Sequence, residues 1–331
     1  MVQMYNYILL LMFLIGSLHF SNVLTQKNSD KYSYTQYHQK VILAETFVAR
    51  EALDSALVVY KDIFKTYDYV LLREYQLATQ LAIKLKKDEE AALFLRGGIE
   101  TGWTKKSIKN NELLKPWLDT QDGKAILLDY DKYHESFEQG VNDTLAAKVH
   151  DMFKRDQKLA IKALFKLSSA SQDKYAEKKF APHSEKQMAQ LLIILNQVGY
   201  PGGRLIGNDM WMSIILSHHN SISQKYVQKD TLYPQLRPLL IEAIDRGEMQ
   251  PVDFAFIEEW RMATMTEPSE VSYGFLEAPF AKSLTKTDSL RAAIGLRSVQ
   301  LRNDLVEVQN KTGIDMYLFG SPWVDGKIEM R

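Results

Sequence analysis

The sequence predicts an all-α protein with little or no sheet, built as helical hairpins followed by a compact helical domain. Three observations carry this expectation. Apolar residues recur at helical spacing along most of the chain, and no convincing period-2 run occurs. Sixteen Gly and nine Pro among 331 residues leave few breaks. Two early segments align with each other at an offset of 34 residues. Composition closes off other classes. Hydrophobic residues make up 46% and charged residues 25%, which is ordinary for a globular chain and excludes disordered, collagen-like and polytopic membrane classes. Lys and Arg number 41, as do Asp and Glu, so the basic excess of a nucleic-acid binder is missing. With no Cys there is no disulfide, no Cys-ligated zinc and no thiol nucleophile. At ~150 residues per domain, the length suits two domains.

The elements follow in chain order. Tyr7 to Leu18 reads YILLLMFLIGSL, too short a run to span ~30 Å of hydrocarbon as a helix. It reads as the apolar core of a secretory signal peptide, with residues 1–25 as the signal and 26–34 as a polar linker. No Lys or Arg precedes Lys27, and no Cys follows to carry a lipid anchor. The expectation is export to the periplasm or the extracellular space, with no membrane span after cleavage. Tyr32, Tyr34 and Tyr37 fall in the polar tract and are expected to be linker residues.

Residues 35–140 carry the repeat. Leu43 and Ala44 fall on Leu77 and Ala78, Phe47 on Leu81, and Tyr60 on Phe94. Small Ala44 and Ala56 let two helices approach, and Phe47 and Tyr60 fill the space between them. This spacing resembles the tetratricopeptide repeat, a 34-residue helix–turn–helix. The second copy departs from it, with Glu90 at the place of Ala56 and Gly97 at that of Ile63. Lys40 stands where the repeat usually has Trp, and Asp68 where it has Pro. Two such hairpins need a cap. The stretch from Gly102 to Tyr133 supplies an apolar side through Trp103, Leu113, Leu114, Trp117, Ile126 and Leu127. The resemblance implies a protein or peptide partner.

Residues 141–331 form the second domain. Asp143 suits an N-cap for a helix over about 144–167. A Ser-, Lys- and Pro-rich loop is expected over 168–184, with His183 exposed in it, then a helix over 185–198. The connector 199–203 lacks the flanking strand and the Lys of a P-loop. Further helices are expected at 209–223, apolar nearly all round, and at 236–246, stopped by Gly247. Another runs from Pro251 to about 264, and a last one over 287–309. Lys148, Lys154, Arg155, Lys158 and Lys162 read as the solvated side of the first of these helices.

This half resembles a bacterial domain family of unknown function. The resemblance rests on ordered pieces: Asp156-Gln157, Gly199-Tyr200-Pro201, His218-His219-Asn220, Glu258-Glu259-Trp260, Tyr273-Gly274 and Arg291-x3-Gly295-Leu296. The family pattern has Trp at Tyr200, Asp at Asn220 and Arg at Trp260. The resemblance brings no mechanism.

Three polar residues of these pieces face apolar arcs. At ~100° per residue, Val149, Ala160 and Ala163 lie within about 40° of Asp156. Trp211, Ile214 and Ile222 lie as close to His218, and Val252, Ala255 and Ala263 to Glu259. An unpaired buried carboxylate is costly, so the three are expected to meet, with Arg291 as counter-charge. Such a cluster is a structural network, an acid–base site built on His218, or a divalent metal site of one His and two carboxylates. His218 and His219 point ~100° apart, and neither a zincin pair nor a Gly-x-Ser-x-Gly elbow occurs. No other cofactor is expected. The leading functional expectation is an exported interaction or scaffold protein of the bacterial cell envelope. The alternative is a hydrolase or other acid–base enzyme using the His/carboxylate site.

Overall fold

A computed structural model describes residues 33–166, 168–265, 271–324 and 326–331. The expected signal segment and most of the expected linker lie outside the described residues. The described chain is all-α: the sole sheet-like pairing within it is an isolated antiparallel bridge between Ser321 and Val324.

The first half opens with two hairpins, α1 (Tyr34–Ala49) with α2 (Leu53–Thr66) and α3 (Leu72–Lys84) with α4 (Asp88–Glu100). Ser33 caps α1 through its hydroxyl, which accepts from the Thr35 N–H. The expectation for the tyrosine tract is corrected here. Tyr34 and Tyr37 sit inside α1 and are buried, where their rings meet Tyr67, the first tilted at 57° and the second edge-on at 86°. Ala44, Ala56, Tyr60, Leu77, Ala78 and Leu81 are fully buried, and Phe94 nearly so. Leu43 differs from Leu77: it is 47% exposed on the outer side of α1. Both hairpins turn through a non-glycine residue in the left-handed region, Glu51 at φ 57° and Lys86 at φ 56°. The odd residue of the second copy has a packing cause. A Cβ on Gly97 would lie 2.5 Å from the Tyr75 ring, so that ring takes the space Ile63 fills in the first copy.

Four shorter helices close the hairpins: α5 (Lys105–Asn110), α6 (Lys115–Leu118), α7 (Gln121–Leu128) and α8 (Tyr130–Gly140). Trp103, Leu114, Trp117 and Ile126 turn inward as expected.

The second half begins with α9 (Asp143–Leu164), capped by Asn142 rather than Asp143; the Asn142 side chain accepts from the Leu145 N–H at 3.0 Å. The expected loop is instead helical. α10 (Ser169–Tyr175) runs through a π-helical turn, Ala176–Phe180, into α11 (Ala181–Val198). Pro182 comes directly after the π-helical turn, where the Ala181 N–H already reaches back to the Ala176 carbonyl, and this wider turn admits a residue without an N–H. Then come α12 (Gly203–Ile206), α13 (Met210–Asn220), α14 (Gln224–Val227), α15 (Leu232–Asp245) and α16 (Pro251–Met265). The single last helix expected from the sequence is two, α17 (Leu284–Ala292) and α18 (Val299–Thr312). Gly295 breaks them at φ 75°, and a Cβ there would lie 2.7 Å from the His38 Cβ, so only glycine allows this close crossing.

Two apolar cores result. The first joins α1–α8 with Leu305, Val308, Ile314 and Met316 from the far end of the chain. The second lies among α9, α11, α13, α15 and α16. Polar ties stitch the halves together. Glu45 of α1 is fully buried and pairs with Arg73 at 2.7 Å and Arg297 at 2.6 Å. Burial opposes that charge, but the two guanidiniums outweigh it and hold the Glu45 carboxyl below its usual range. Gln80 of α3 grips the Asp315 backbone twice, donating to its carbonyl at 2.8 Å and accepting from its N–H at 2.8 Å.

Candidate functional site

The four residues singled out from the sequence fall into two pairs in the second half. Asp156 comes from the middle of α9 and is fully buried. Its Oδ2 lies 2.5 Å from Nδ1 of His218 on α13, whose side chain is 15% exposed. The apolar stripe of α9 and the largely apolar α13 place them face to face. A carboxylate at Nδ1 selects the tautomer with its proton there and leaves Nε2 as the basic nitrogen. The Phe180 ring stands edge-on to the imidazole, with centroids 6.1 Å apart.

Glu259 and Arg291 make the second pair, and they meet through a loop rather than each other. Glu259 of α16 accepts from the N–H of Gly274 at 2.9 Å and of Phe275 at 2.8 Å. Arg291 of α17 donates from Nε to the Arg297 carbonyl at 2.6 Å, and from Nη1 to the Tyr273 carbonyl. The loop from Tyr273 to Phe275 is thus held by N–H groups on one side and a carbonyl on the other. Burial pushes the Glu259 carboxyl up to about 7, although those N–H groups pull it back. Burial, with Arg297 and Arg302 close by, lowers Arg291 to about 9, so it stays a cation at neutral pH. Among the described residues no hydrogen bond or ion pair joins the two pairs, and no group of three or more His, Cys, Asp or Glu is placed to hold a metal ion.

The sequence reading passed over a second polar chain beside the first. Ser184 Oγ lies 2.9 Å from Nδ1 of His219, whose Nε2 lies 3.4 Å from Asp230 Oδ1. Arg261 donates to the other Asp230 oxygen at 3.2 Å. Burial raises the Asp230 carboxyl, but His219 and the N–H groups of Leu232 and Tyr233 outweigh it and hold it low. These are the residue types of a serine-hydrolase triad, but Ser184 and His219 are fully buried and the serine sits against Nδ1. A nucleophile needs access to its substrate, so this chain ties α11, α13 and the start of α15 together. A cleft of about 550 Å³ opens at its edge, lined by Glu177, Pro182, Glu185, Lys225, Tyr226 and Asp230 among others. Tyr226 stands between the cleft and His219, with ring centroids 5.5 Å apart, and its hydroxyl donates to Glu185. The three come from two helices and the connection before α15, 35 and 11 residues apart, so no pattern along a single helix announces this trio.

Among the described residues no helix is long and apolar enough to cross a membrane. The chain matches no family model, no curated protein and no solved structure.

Proposed function

We propose that the second half is an acid–base enzyme in which His218 moves the proton and Asp156 holds the imidazole. The observation that carries this reading is the pairing of a fully buried carboxylate at Nδ1 with a histidine whose side chain still reaches the surface. That is the arrangement of an oriented general base: the carboxylate fixes the tautomer and steadies the imidazolium that forms. Turnover across ester, phosphoester, amide and glycoside substrates tests it, comparing the mature chain with His218→Gln. Turnover lost in a variant that still folds supports the reading; turnover equal in the two chains sinks it.

A second reading gives the first half an interaction role, within an exported protein of the cell envelope. It is favoured by the double grip of Gln80 on the Asp315 backbone, the way an extended peptide is held on a helical surface. Here the chain's own residues take that surface. A partner therefore uses another face or displaces them. Capture from envelope extract by the full mature chain tests this role. Export rests on the apolar run before residue 19. Recovery of the uncut chain from the cytosol would refute it.

A further inference from the structure

The chain as a whole is neutral, yet its charge is not spread evenly. Lys and Arg number 41, and so do Asp and Glu. From Lys154 to Lys186, nine Lys or Arg stand against four Asp or Glu. The rest of the chain therefore carries a negative excess of the same size. Three of the four carboxylates in the stretch are engaged. Asp156 is buried against His218, Glu177 pairs with Lys225 at 3.3 Å, and Glu185 accepts from the Tyr226 hydroxyl at 3.2 Å. Asp173 faces solvent.

The fold gathers this excess on one side. α9 turns Asp156 and its apolar stripe toward α13, which leaves its other side to solvent. At ~100° per residue, Lys154, Lys158, Lys162 and Phe165 fall within one arc of about 80°. All four are exposed. Asp151 lies in the same arc, but Arg155 neutralises it at 2.6 Å. Among the described residues no ion pair engages the three lysines. α10 and the π-helical turn fold back against the end of α9 and add Lys174, Lys178 and Lys179, all exposed. A large apolar side chain stands out at the corner between α9 and α10. Phe165 is 76% exposed, one turn after Lys162 and directly before Lys166, whose Nζ lies 5.1 Å from the centre of the Tyr175 ring. Leaving a phenyl ring in water forfeits the free energy its burial would give.

We propose that the outer face of α9, with the corner at Phe165, is a docking surface for an anionic phospholipid bilayer. An apolar tip among long, flexible cations matches the chemistry of such an interface. The ring enters the boundary between headgroups and acyl chains, and the lysines reach the phosphates while their stems lie along apolar surface. The face holds the chain on a membrane surface without crossing it. Composition favours lipid over a nucleic acid. Eight of the nine cations are Lys, compact charges that suit a layer of mobile headgroups. Arg, whose fork suits fixed phosphates, occurs once, as Arg155, and Asp151 occupies it.

Flotation of the full mature chain with vesicles tests the proposal. One set holds phosphatidylcholine alone, the other phosphatidylcholine with phosphatidylglycerol. The chain should float with the anionic set at about 0.1 M salt and not with the neutral set. It should be released at about 1 M salt, where the screening length falls from about 10 Å to about 3 Å. The triple variant Lys154→Glu, Lys158→Glu, Lys162→Glu should lower the partition at least about tenfold. Phe165→Ser should lower it about fivefold. A control with the same change of charge, Lys84→Glu, Lys106→Glu, Lys109→Glu, should leave it unaltered. All seven side chains are exposed, so the variants keep the fold. Equal loss in the two triple variants overturns the proposal, because net charge and not this face would then govern binding. Equal flotation with neutral vesicles overturns it too. So does absence of flotation with the anionic set, and retention of the chain by duplex DNA or polyglutamate would in that case give the face to an acidic polymer.

Discussion

Two carboxylates in the second half are matched in burial and opposite in how they are satisfied. Glu259 is 1% exposed and spends both oxygens on backbone N–H groups of one loop. Asp156 is fully buried, gives one oxygen to His218, and leaves the other unpaired. The first arrangement is closed, since every strong acceptor direction ends on the chain itself. The second is open, and its histidine reaches solvent. The difference teaches that burial alone does not separate structure from chemistry. What separates these two is the partner each meets: backbone N–H groups for Glu259, and for Asp156 an imidazole able to take or give a proton.

That comparison can be broken most forcefully at Arg291. Arg291→Met leaves the carbonyls of Arg297 and Tyr273 without their charged donor, and the loop loses its anchor on α17. The expected loss is about 4 kcal/mol in urea denaturation, from two hydrogen bonds to a charged group and the stranded acceptors. A loss under about 1 kcal/mol would show that the loop is held without it.

The next effect is a pH dependence at Glu259. Its folded value is raised to about 7, above the model-peptide value of 4.5, so the folded chain binds the proton more tightly than the unfolded chain. The linked stability is therefore full below about 4.5 and is lost as pH rises through about 7. The wild-type chain should lose about 3 kcal/mol more than Glu259→Gln over that window, at 1.36 kcal/mol per unit. Denaturation curves at pH 4.5 and 7.5 read the difference; parallel curves for the two chains would mean that the N–H cage keeps Glu259 ionised throughout.

Asp156→Asn should cost less, about 1.5 kcal/mol, because the amide keeps the volume and one hydrogen bond to His218. The smallest effect is expected at His218→Gln. Stability should change by under about 1 kcal/mol, since the side chain is partly exposed and glutamine can still donate to Asp156. A loss of 3 kcal/mol or more there would place His218 with Glu259 and Arg291 as a structural tie.

Much of this arrangement was legible before any coordinates. Asp156, His218 and Glu259 each sit mid-arc on an apolar helix face, and each is buried or nearly so. Arg291 was expected to answer a carboxylate, but it answers carbonyls instead. Glu259 likewise meets main-chain N–H groups of the Tyr273–Phe275 loop, which have no residue-type signature. His183 and Ser184 were missed because Pro182 reads as a helix breaker; after the π-helical turn the chain stays helical through it. Tyr34 and Tyr37 were missed because their tract is polar on average, although the face they share is not.

Sequence alone determined the all-α class and most of the longer helices, because a helix is written in contacts three and four residues apart and its apolar stripe shows at that period. It also marked Asp156 and Glu259 as buried, since each stands at the centre of an apolar stripe. Only the tertiary structure decided what each buried group meets. His218 lies 62 residues from Asp156 along the chain, and Arg297 lies 252 residues from Glu45. Partners that distant are chosen by how whole helices pack and by where a Gly97 or a Gly295 lets them close in. No local period records that choice, and so the split of one expected cluster into two separate pairs belongs to the fold.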